Sequence, residues 1–519
     1  MALKFFLFLI FLVPVAQSKC HRSDIRWWCK KTPHPEPCKH FMSENRHRFA
    51  PKHTSEFRKM LVQVALERTL EAKRHALQLG QSCENKPQKA AWTDCLKLFQ
   101  DTILQLNRTL QGLNTNQKCT NFDAQTWLST ALTNLETCRV GSSELNVSDF
   151  ISPIASNYNV SELISNGLAI NSRFVGKKAE SSAFAEGVFP SWVSKEERRL
   201  LESSSIKANL VVAKDGSGHF RTVQAAINEA AKRRFGTRFV IHIKSGVYRE
   251  NIEVGLNNNN IMLLGDGLRK TIITGGRSVS GGYTTYSSAT AGIDGLRFIA
   301  RGITFQNTAG ALKGQAVALR SASDLSVFYR CAFQGYQDTL MVHSQRQFYK
   351  ECFIYGTIDF IFGNAAVVIQ NSIIYVRRPL KGQANVITAH GRNDPYQTTA
   401  ISIHNSQIRP APDLKPVVGA FKTYLGRPWK LYSRTVFLKC YLDRFVSPVG
   451  WLAWDKGTDK LYYGEYKNYG PGSSTRYRVR WRGFHVITSP VLAKQFSVGS
   501  LIAGASWLPA TGVPFTSGL

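Results

Sequence analysis

Two aspartates, Asp338 and Asp359, are the residues whose type and spacing best suit them for chemistry. Each ends a similar stretch of sequence, FYRCAFQGYQD and FYKECFIYGTID, and they lie 21 residues apart, as do Cys331 and Cys352. If the repeat is structural, equivalent positions lie one strand spacing apart, about 4.8 Å. Like charges at that separation raise one pKa, which provides a proton donor beside a carboxylate that can attack.

Two glutamines accompany these aspartates. Gln337 precedes Asp338, and Gln315 lies roughly one repeat earlier. Side-chain amides near a reacting carbonyl are the donors that an oxyanion needs. The alternative is a structural ladder, in which stacked polar side chains only satisfy the hydrogen bonds of the turns. For a single aspartate this alternative is favoured, because structural ion networks are common.

The elements that carry these residues are short strands. After Asn209 the sequence consists of brief runs of Val, Ile, Phe and Tyr closed by Gly, Asn or Asp, and only residues 222–234 keep a helical period. Repeats of about 21 residues built from such strands are typical of a solenoid whose coils stack on each other. We therefore expect an all-β parallel β-helix.

The N-terminal part differs in texture. Between residues 54 and 135 apolar residues recur three and four apart, which predicts a helical bundle. Seven of the ten cysteines fall in the first 140 residues, the density of a disulfide-stapled extracellular domain.

Length and charge limit the function classes. A chain of 519 residues with 43% hydrophobic and 19% charged residues should form two or more globular domains. Its net charge is +31, of which +22 (39 basic minus 17 acidic residues) follows position 201. Such a field suits nucleic acid, an acidic membrane face or an acidic polysaccharide.

The first 18 residues discriminate among these partners. Lys4, the apolar run 5–15 and the small residues at 16–18 predict a secretory signal peptide, since eleven apolar residues are too few to span a bilayer. Secretion makes an extracellular acidic polymer the leading partner, and we expect neither a nucleic-acid partner nor a membrane anchor. Three N-glycosylation acceptors also fit an extracellular protein: Asn107, Asn146 and Asn159.

A polar stretch at 173–207 separates the two parts. It contains Arg198 and Arg199, and paired basic residues in a polar linker are natural targets of processing proteases. A merely solvated charge run fits this stretch equally well.

The chain resembles plant pectin methylesterases that carry an N-terminal inhibitor-like pro-region, and the resemblance covers almost all of it after the signal peptide. The match is specific because five blocks occur in the family's order. These blocks are GVYRE at 246–250, QAVAL at 315–319, QDTL at 337–340, DFIFG at 359–363 and LGRPW at 425–429.

This resemblance implies a role for each site residue. Asp359 would be the nucleophile on the methyl ester, and Asp338 the general acid and then the base. Gln315 and Gln337 would hold the oxyanion, and Arg427 would orient Asp359 and keep it ionised. Further residues would contact the sugar chain: Thr285, Gln315, Arg427 and Trp429. No cofactor or metal is implied, and we expect a monomer.

The resemblance also implies the domain order. A signal peptide (1–18) would precede an inhibitor-like four-helix pro-region (19–172), the linker with the processing site (173–207) and a right-handed parallel β-helix domain (208–519). Disulfides would join Cys29 to Cys38 and Cys95 to Cys138. Cys83 and Cys119 depart from the family's pattern and could pair with each other, and Cys331 and Cys352 are further candidates. The substrate would be pectin in the plant cell wall, with proteinaceous pectinesterase inhibitors as possible partners.

Two other functions remain open on the sequence: a polysaccharide lyase or glycosidase on the same fold, and a silent pectin-binding or inhibitor protein. The paired glutamines favour ester chemistry over the first, and the intact Asp338, Asp359 and Arg427 weigh against the second. A serine esterase would need a Gly-x-Ser-x-Gly elbow and a zinc hydrolase a His-Glu-x-x-His pair. Neither motif occurs in the sequence.

Overall fold

The computed structural model describes residues 24–43, 50–114, 119–175, 206–233, 236–455 and 457–519. The predicted signal peptide, Cys20 and the Arg198 and Arg199 pair lie outside these residues. Among the described helices, none combines the length and the apolar character that a membrane crossing requires.

The N-terminal part is helical, as predicted. Its helices are α1 (Ile25–Cys29), α2 (Pro35–Ser43), α3 (Thr54–Leu79), α4 (Lys86–Gly112), α5 (Asn121–Glu144), α6 (Ser148–Ala155) and α7 (Val160–Asn171). A capping box starts α5, in which the side chains of Thr120 and Asp123 each accept a bond from the other's backbone N–H. Of the three glycosylation acceptors, Asn146 is exposed, whereas Asn107 and Asn159 are half-buried.

Both disulfides implied for the bundle are present. Cys29–Cys38 ties α1 to α2, and Cys95–Cys138 ties α4 to α5. The possible pairing of Cys83 with Cys119 is wrong: both thiols are free. They flank opposite ends of α4, whose 27 residues span about 40 Å.

The C-terminal part is a parallel β-helix, as predicted. Every named strand pairs in parallel with the equivalent strand of the next coil, which builds three sheets. The eleven-stranded sheet contains β1 (Leu210–Val212), β2 (Phe239–Ile243), β5 (Ile261–Gly265), β8 (Ile299–Arg301), β11 (Ser326–Tyr329), β14 (Arg346–Lys350), β17 (Ala366–Gln370), β20 (Ala400–His404), β23 (Arg434–Leu438), β25 (Tyr462–Tyr466) and β26 (Phe484–Val486).

The other two sheets complete each coil. The seven-stranded sheet contains β4 (Ile252–Val254), β7 (Ala291–Ile293), β10 (Leu319–Ser321), β13 (Leu340–Val342), β16 (Ile361–Gly363), β19 (Asn385–His390) and β22 (Thr423–Gly426). The eight-stranded sheet contains β3 (Gly246–Arg249), β6 (Thr271–Gly275), β9 (Thr304–Asn307), β12 (Ala332–Gln334), β15 (Phe353–Gly356), β18 (Ile373–Val376), β21 (Gln407–Pro410) and β24 (Tyr441–Leu442). Among the described residues of the coil, three α-helices accompany the strands: α8 (Val223–Ala231), α9 (Pro490–Lys494) and α10 (Val498–Leu501).

Repetition of similar residues fills the interior of the coil. Phe328 stacks on Tyr349 of the next coil with ring centroids 4.7 Å apart, and Phe305 stacks on Phe333 at 5.9 Å. The turn between the eleven- and eight-stranded sheets repeats too, because one residue per coil adopts a left-handed conformation. These residues include Arg330, Glu351, Asn371, Asn405 and Lys439, with φ between 49° and 54°.

The further disulfide candidates Cys331 and Cys352 form no disulfide, and both thiols are free. Both cysteines are buried, free and placed directly after the left-handed residue. Cys352 Sγ–H donates to the carbonyl oxygen of Phe328 at 3.2 Å, and Cys331 Sγ–H to that of Tyr329 at 3.5 Å. Ser372 takes the equivalent position one coil later, and its hydroxyl donates to the carbonyl of Gln370.

Candidate active site

The candidate active site is a cavity of about 180 Å³ between α5 and the outer face of the seven-stranded sheet. Ligand pockets typically measure about 300–1,000 Å³, so the docked helix leaves little room for a polymer. Seven residues that the sequence singled out for this site all line the cavity: Thr285, Gln315, Gln337, Asp338, Asp359, Arg427 and Trp429.

Asp338 and Asp359 hold equivalent positions on neighbouring coils, two residues before β13 and β16. Leu340 pairs with Ile361 in that register, and the backbone N–H of Asp338 donates to the carbonyl of Ile358 at 3.0 Å. Both aspartates have left-handed backbones, with φ of 60° and 49°. Asp and Asn tolerate that region better than most residues, so the tight turn can present both carboxyls on one face.

Arg427 follows β22 and grips only one of the two carboxyls. Its Nε lies 2.9 Å from Oδ1 of Asp359, and its Nη2 lies 2.6 Å from Oδ2 of the same residue. The two bonds form the bidentate pair that fixes a carboxylate in one orientation. Asp338 has no hydrogen bond from an arginine in the described part of the chain.

The two carboxyls therefore differ in protonation. Burial, and next the charge of Asp359, raise the pKa of Asp338 well above its usual range. Burial also raises the pKa of Asp359, but the hydrogen bonds and charge of Arg427 oppose that rise. Bundle residues contribute part of this burial. When the bundle is removed, Arg427 should therefore leave Asp359 more readily ionised than Asp338.

Gln315 and Gln337 have side-chain amides without hydrogen-bond partners in the described residues. The backbone N–H of Ala316 donates to the carbonyl of Gln337 at 3.2 Å, which places the two glutamines on neighbouring coils. Both side chains line the cavity, and neither makes a hydrogen bond within the described residues. Their N–H groups are free to meet an oxygen that develops charge in the cavity.

Aromatic side chains frame the arginine end of the cavity. Trp429 packs edge-on against Phe362, with ring centroids 6.0 Å apart. Trp454, which the sequence analysis missed, lies under Arg427, with its ring centroid 3.8 Å from the guanidinium carbon. The sequence gives little indication of Trp454, because this residue lies in a late coil that does not keep the 21-residue spacing.

Glu144, also missed, projects from the last turn of α5 into the cavity. Its carboxylate accepts one hydrogen bond from the backbone N–H of Thr285 and another from the hydroxyl, both at 2.8 Å. Burial raises the pKa of Glu144, and its charge in turn contributes to the raised pKa of Asp338. A bundle carboxylate thus lies beside the two aspartates.

Other contacts hold the bundle against the sheet. Ion pairs join Arg346 to Asp123 at 2.7 Å and Lys97 to Asp294 at 3.0 Å. Apolar side chains of the sheet's outer face, such as Met341 and Phe362, form one cluster with the core of the bundle. The docked face is therefore both charged and apolar.

Comparison with known proteins gives two family matches. The family described as Pectinesterase matches residues 209–505, and the family described as Plant invertase/pectin methylesterase inhibitor matches residues 23–170.

Relatives of similar length match almost the whole chain. "Probable pectinesterase/pectinesterase inhibitor 60" of Arabidopsis thaliana is 62% identical over 506 residues, covering 96% of this chain and 94% of that protein. "Pectinesterase 2" of Citrus sinensis is 54% identical over 498 residues, covering 96% and 95%. The solved structure of a pectin methylesterase from carrot is 56% identical, with a TM-score of 0.60, and covers 61% of this chain and all of that one.

Proposed function

Because the chain belongs to the pectinesterase family and is a pectinesterase, we propose that it hydrolyses methyl esters of galacturonate units in plant cell-wall pectin, using Asp359 and Asp338. The observation that carries the assignment of roles is the unequal contact of Arg427, which grips Asp359 alone. A carboxylate held ionised suits a nucleophile, and one with a raised pKa suits an acid.

The reaction follows from those roles. An oxygen of Asp359 attacks the ester carbonyl carbon, and the amides of Gln315 and Gln337 donate to the oxyanion. Collapse breaks the bond to the methoxy oxygen, which takes the proton of Asp338 and leaves as methanol, so that an acyl-enzyme anhydride remains. Asp338 then accepts one proton from water, whose oxygen attacks the acyl carbon. The anhydride bond to Asp359 breaks, which restores the Asp359 carboxylate and frees the galacturonate unit as a carboxylic acid that ionises in water.

The bundle would hold this enzyme inactive until it is released. It covers the seven-stranded sheet, and Glu144 occupies the N–H and O–H of Thr285, donors that would suit a carboxyl group of the polymer. We propose secretion to the wall, with cleavage near Arg198 and Arg199, in keeping with the predicted signal peptide and linker.

The test follows methanol and chain length together while the cleaved C-terminal part acts on highly methylated pectin. Methanol release at constant chain length is the expected result. A fall in chain length without methanol would instead indicate a lyase or glycosidase, and neither change would leave a silent binding protein.

A further inference from the structure

A run of alternating arginines lies in the last coil of the β-helix, remote from the catalytic aspartates in sequence. Residues 476–482 read RYRVRWR, and no acidic residue follows Glu465 in the remaining 54 residues, which hold six Lys and Arg. These last 54 residues therefore carry a net charge of +6 with no acidic residue among them.

One of these arginines, Arg478, is buried and holds the segment against the coil. Arg478 is buried and pairs with Glu465, with Nε 2.7 Å from Oε1, and it donates to the carbonyl of Pro448 at 3.0 Å. Val479 and Trp481 pack against the core of the coil. The residues between and before them face outward: Arg476, Tyr477, Arg480 and Arg482 are all exposed.

These four exposed residues, here called the arginine strip, lack acidic partners. Within the described residues no carboxylate lies in ion-pair distance of Arg476, Arg480 or Arg482. The Arg476 guanidinium lies 5.3 Å from the ring of Tyr477, a residue that is 63% exposed. Three uncompensated guanidinium groups beside an exposed ring can bind carboxylates and one face of a sugar.

The strip continues the coil beyond the cavity. The backbone N–H of Val479 donates to the carbonyl of Val449 at 3.0 Å, and nearby Trp451 bridges to Gly426 of β22, the residue before Arg427. The coil that contains Val479 therefore lies two strand spacings, about 10 Å along the coil axis, from the coil that contains Arg427. The opposite end of the seven-stranded sheet instead carries Glu253 and Asp294.

We propose that the arginine strip is a second binding site, for runs of de-esterified galacturonan, and that it is accessible while the bundle is docked. The proposal rests on the proposed function only for the identity of the polyanion, whose free carboxylates the esterase would generate. The strip is exposed in the structure that includes the bundle, so the uncleaved, inactive chain should already bind the acidic polymer.

The experiment measures binding of the full-length chain, with Asp359→Asn to prevent turnover, to immobilised polygalacturonate across a salt series. The test variant is Arg476→Gln with Arg480→Gln and Arg482→Gln. The control, Arg249→Gln with Arg269→Gln and Lys270→Gln, removes the same charge from exposed positions at the other end of the coil. Thermal unfolding checks that both variants fold.

We expect the strip variant to lose at least about tenfold in affinity at low salt and to show a shallower salt dependence, with the control changed much less. Equal losses in both variants, or no loss in either, would overturn the proposal. So would a strip variant that loses binding to anionic lipid vesicles but keeps its affinity for polygalacturonate. None of these outcomes depends on catalysis, so a failed esterase assignment would be seen separately in the methanol assay.

Discussion

At the scale of single residues, the two aspartates share a backbone setting but differ in their partners. Both adopt left-handed φ values, and only Asp359 is held by Arg427. Asn tolerates that backbone about as well as Asp does, so an Asp→Asn change alters the chemistry with little strain. The pair is therefore well suited to a comparison of matched substitutions.

Asp359→Asn should reduce methanol release by at least about a thousandfold, because an amide of the same shape cannot act as the nucleophile. The measurement is methanol release by the cleaved enzyme, with circular dichroism to confirm folding. Asp413→Asn, at an exposed surface pair with Arg377, is the control and should keep its activity. Substantial turnover by Asp359→Asn would remove the nucleophile assignment.

Asp338→Asn should slow turnover less and should change the pH profile. Asp338 donates its proton only below its raised pKa, so the wild-type rate should fall as pH rises through that value. Asp359 attacks only when ionised, so the rate should also fall as pH drops through its own pKa. The variant should lose the alkaline limb and keep the acid limb; an unchanged profile would contradict the acid role.

At the scale of elements, α5 is the helix that closes the site. Glu144 makes two hydrogen bonds to Thr285, and Gly141 approaches the same loop so closely that an added Cβ would lie 3.2 Å from Cγ2 of Thr284. A side chain at Gly141 would therefore press on the loop. These two contacts add to the ion pairs and apolar packing that also hold the bundle on the sheet.

Glu144→Ala in the uncleaved chain should raise its activity on pectin. Loss of hydrogen bonds to a charged group costs about 2 kcal/mol, which shifts the docking equilibrium roughly 30-fold toward the open form. The measurement compares methanol release by uncleaved variants, with Glu84→Ala at an exposed position of the bundle as control. If both uncleaved variants are as inactive as the parent, Glu144 does not contribute to closure.

The sequence predicted most elements because the coil repeats. The 21-residue spacing is enough to predict that Asp338 and Asp359 lie on neighbouring coils, and the position of Gln337 directly before Asp338 places it beside them. Trp454 and Glu144 could not be found in this way, since their contacts are made across the sequence and belong to no repeat. The expectation of a disulfide at Cys331 and Cys352 was wrong for a related reason: the 21-residue spacing places the two cysteines on neighbouring coils but does not determine whether their thiols pair, and both are free.

At the scale of the whole molecule, release of the bundle decides whether the enzyme works. Arg198→Ala with Arg199→Ala should leave the bundle attached and the protein retained or inactive, because the cleft stays covered. The measurement follows chain size, secretion and methanol release in expressing plant cells. Lys177→Ala with Lys178→Ala, another basic pair of the same stretch, is the control. Full secretion of an active, uncleaved enzyme would refute an inhibitory bundle.

Because the bundle and the coil belong to one chain, the connection between them sets the effective concentration of the bundle at its binding face on the coil. Thirty residues, 176–205, connect the two described parts, and a covalent connection of this length holds those parts at an effective concentration of roughly millimolar order. A bundle with an intrinsic Kd of about 1 µM would then leave only about one molecule in a thousand open. After cleavage the same contact becomes bimolecular, and at about 10 nM protein nearly all of it would dissociate. A modest interface can thus inhibit fully before cleavage and be lost by dilution afterwards.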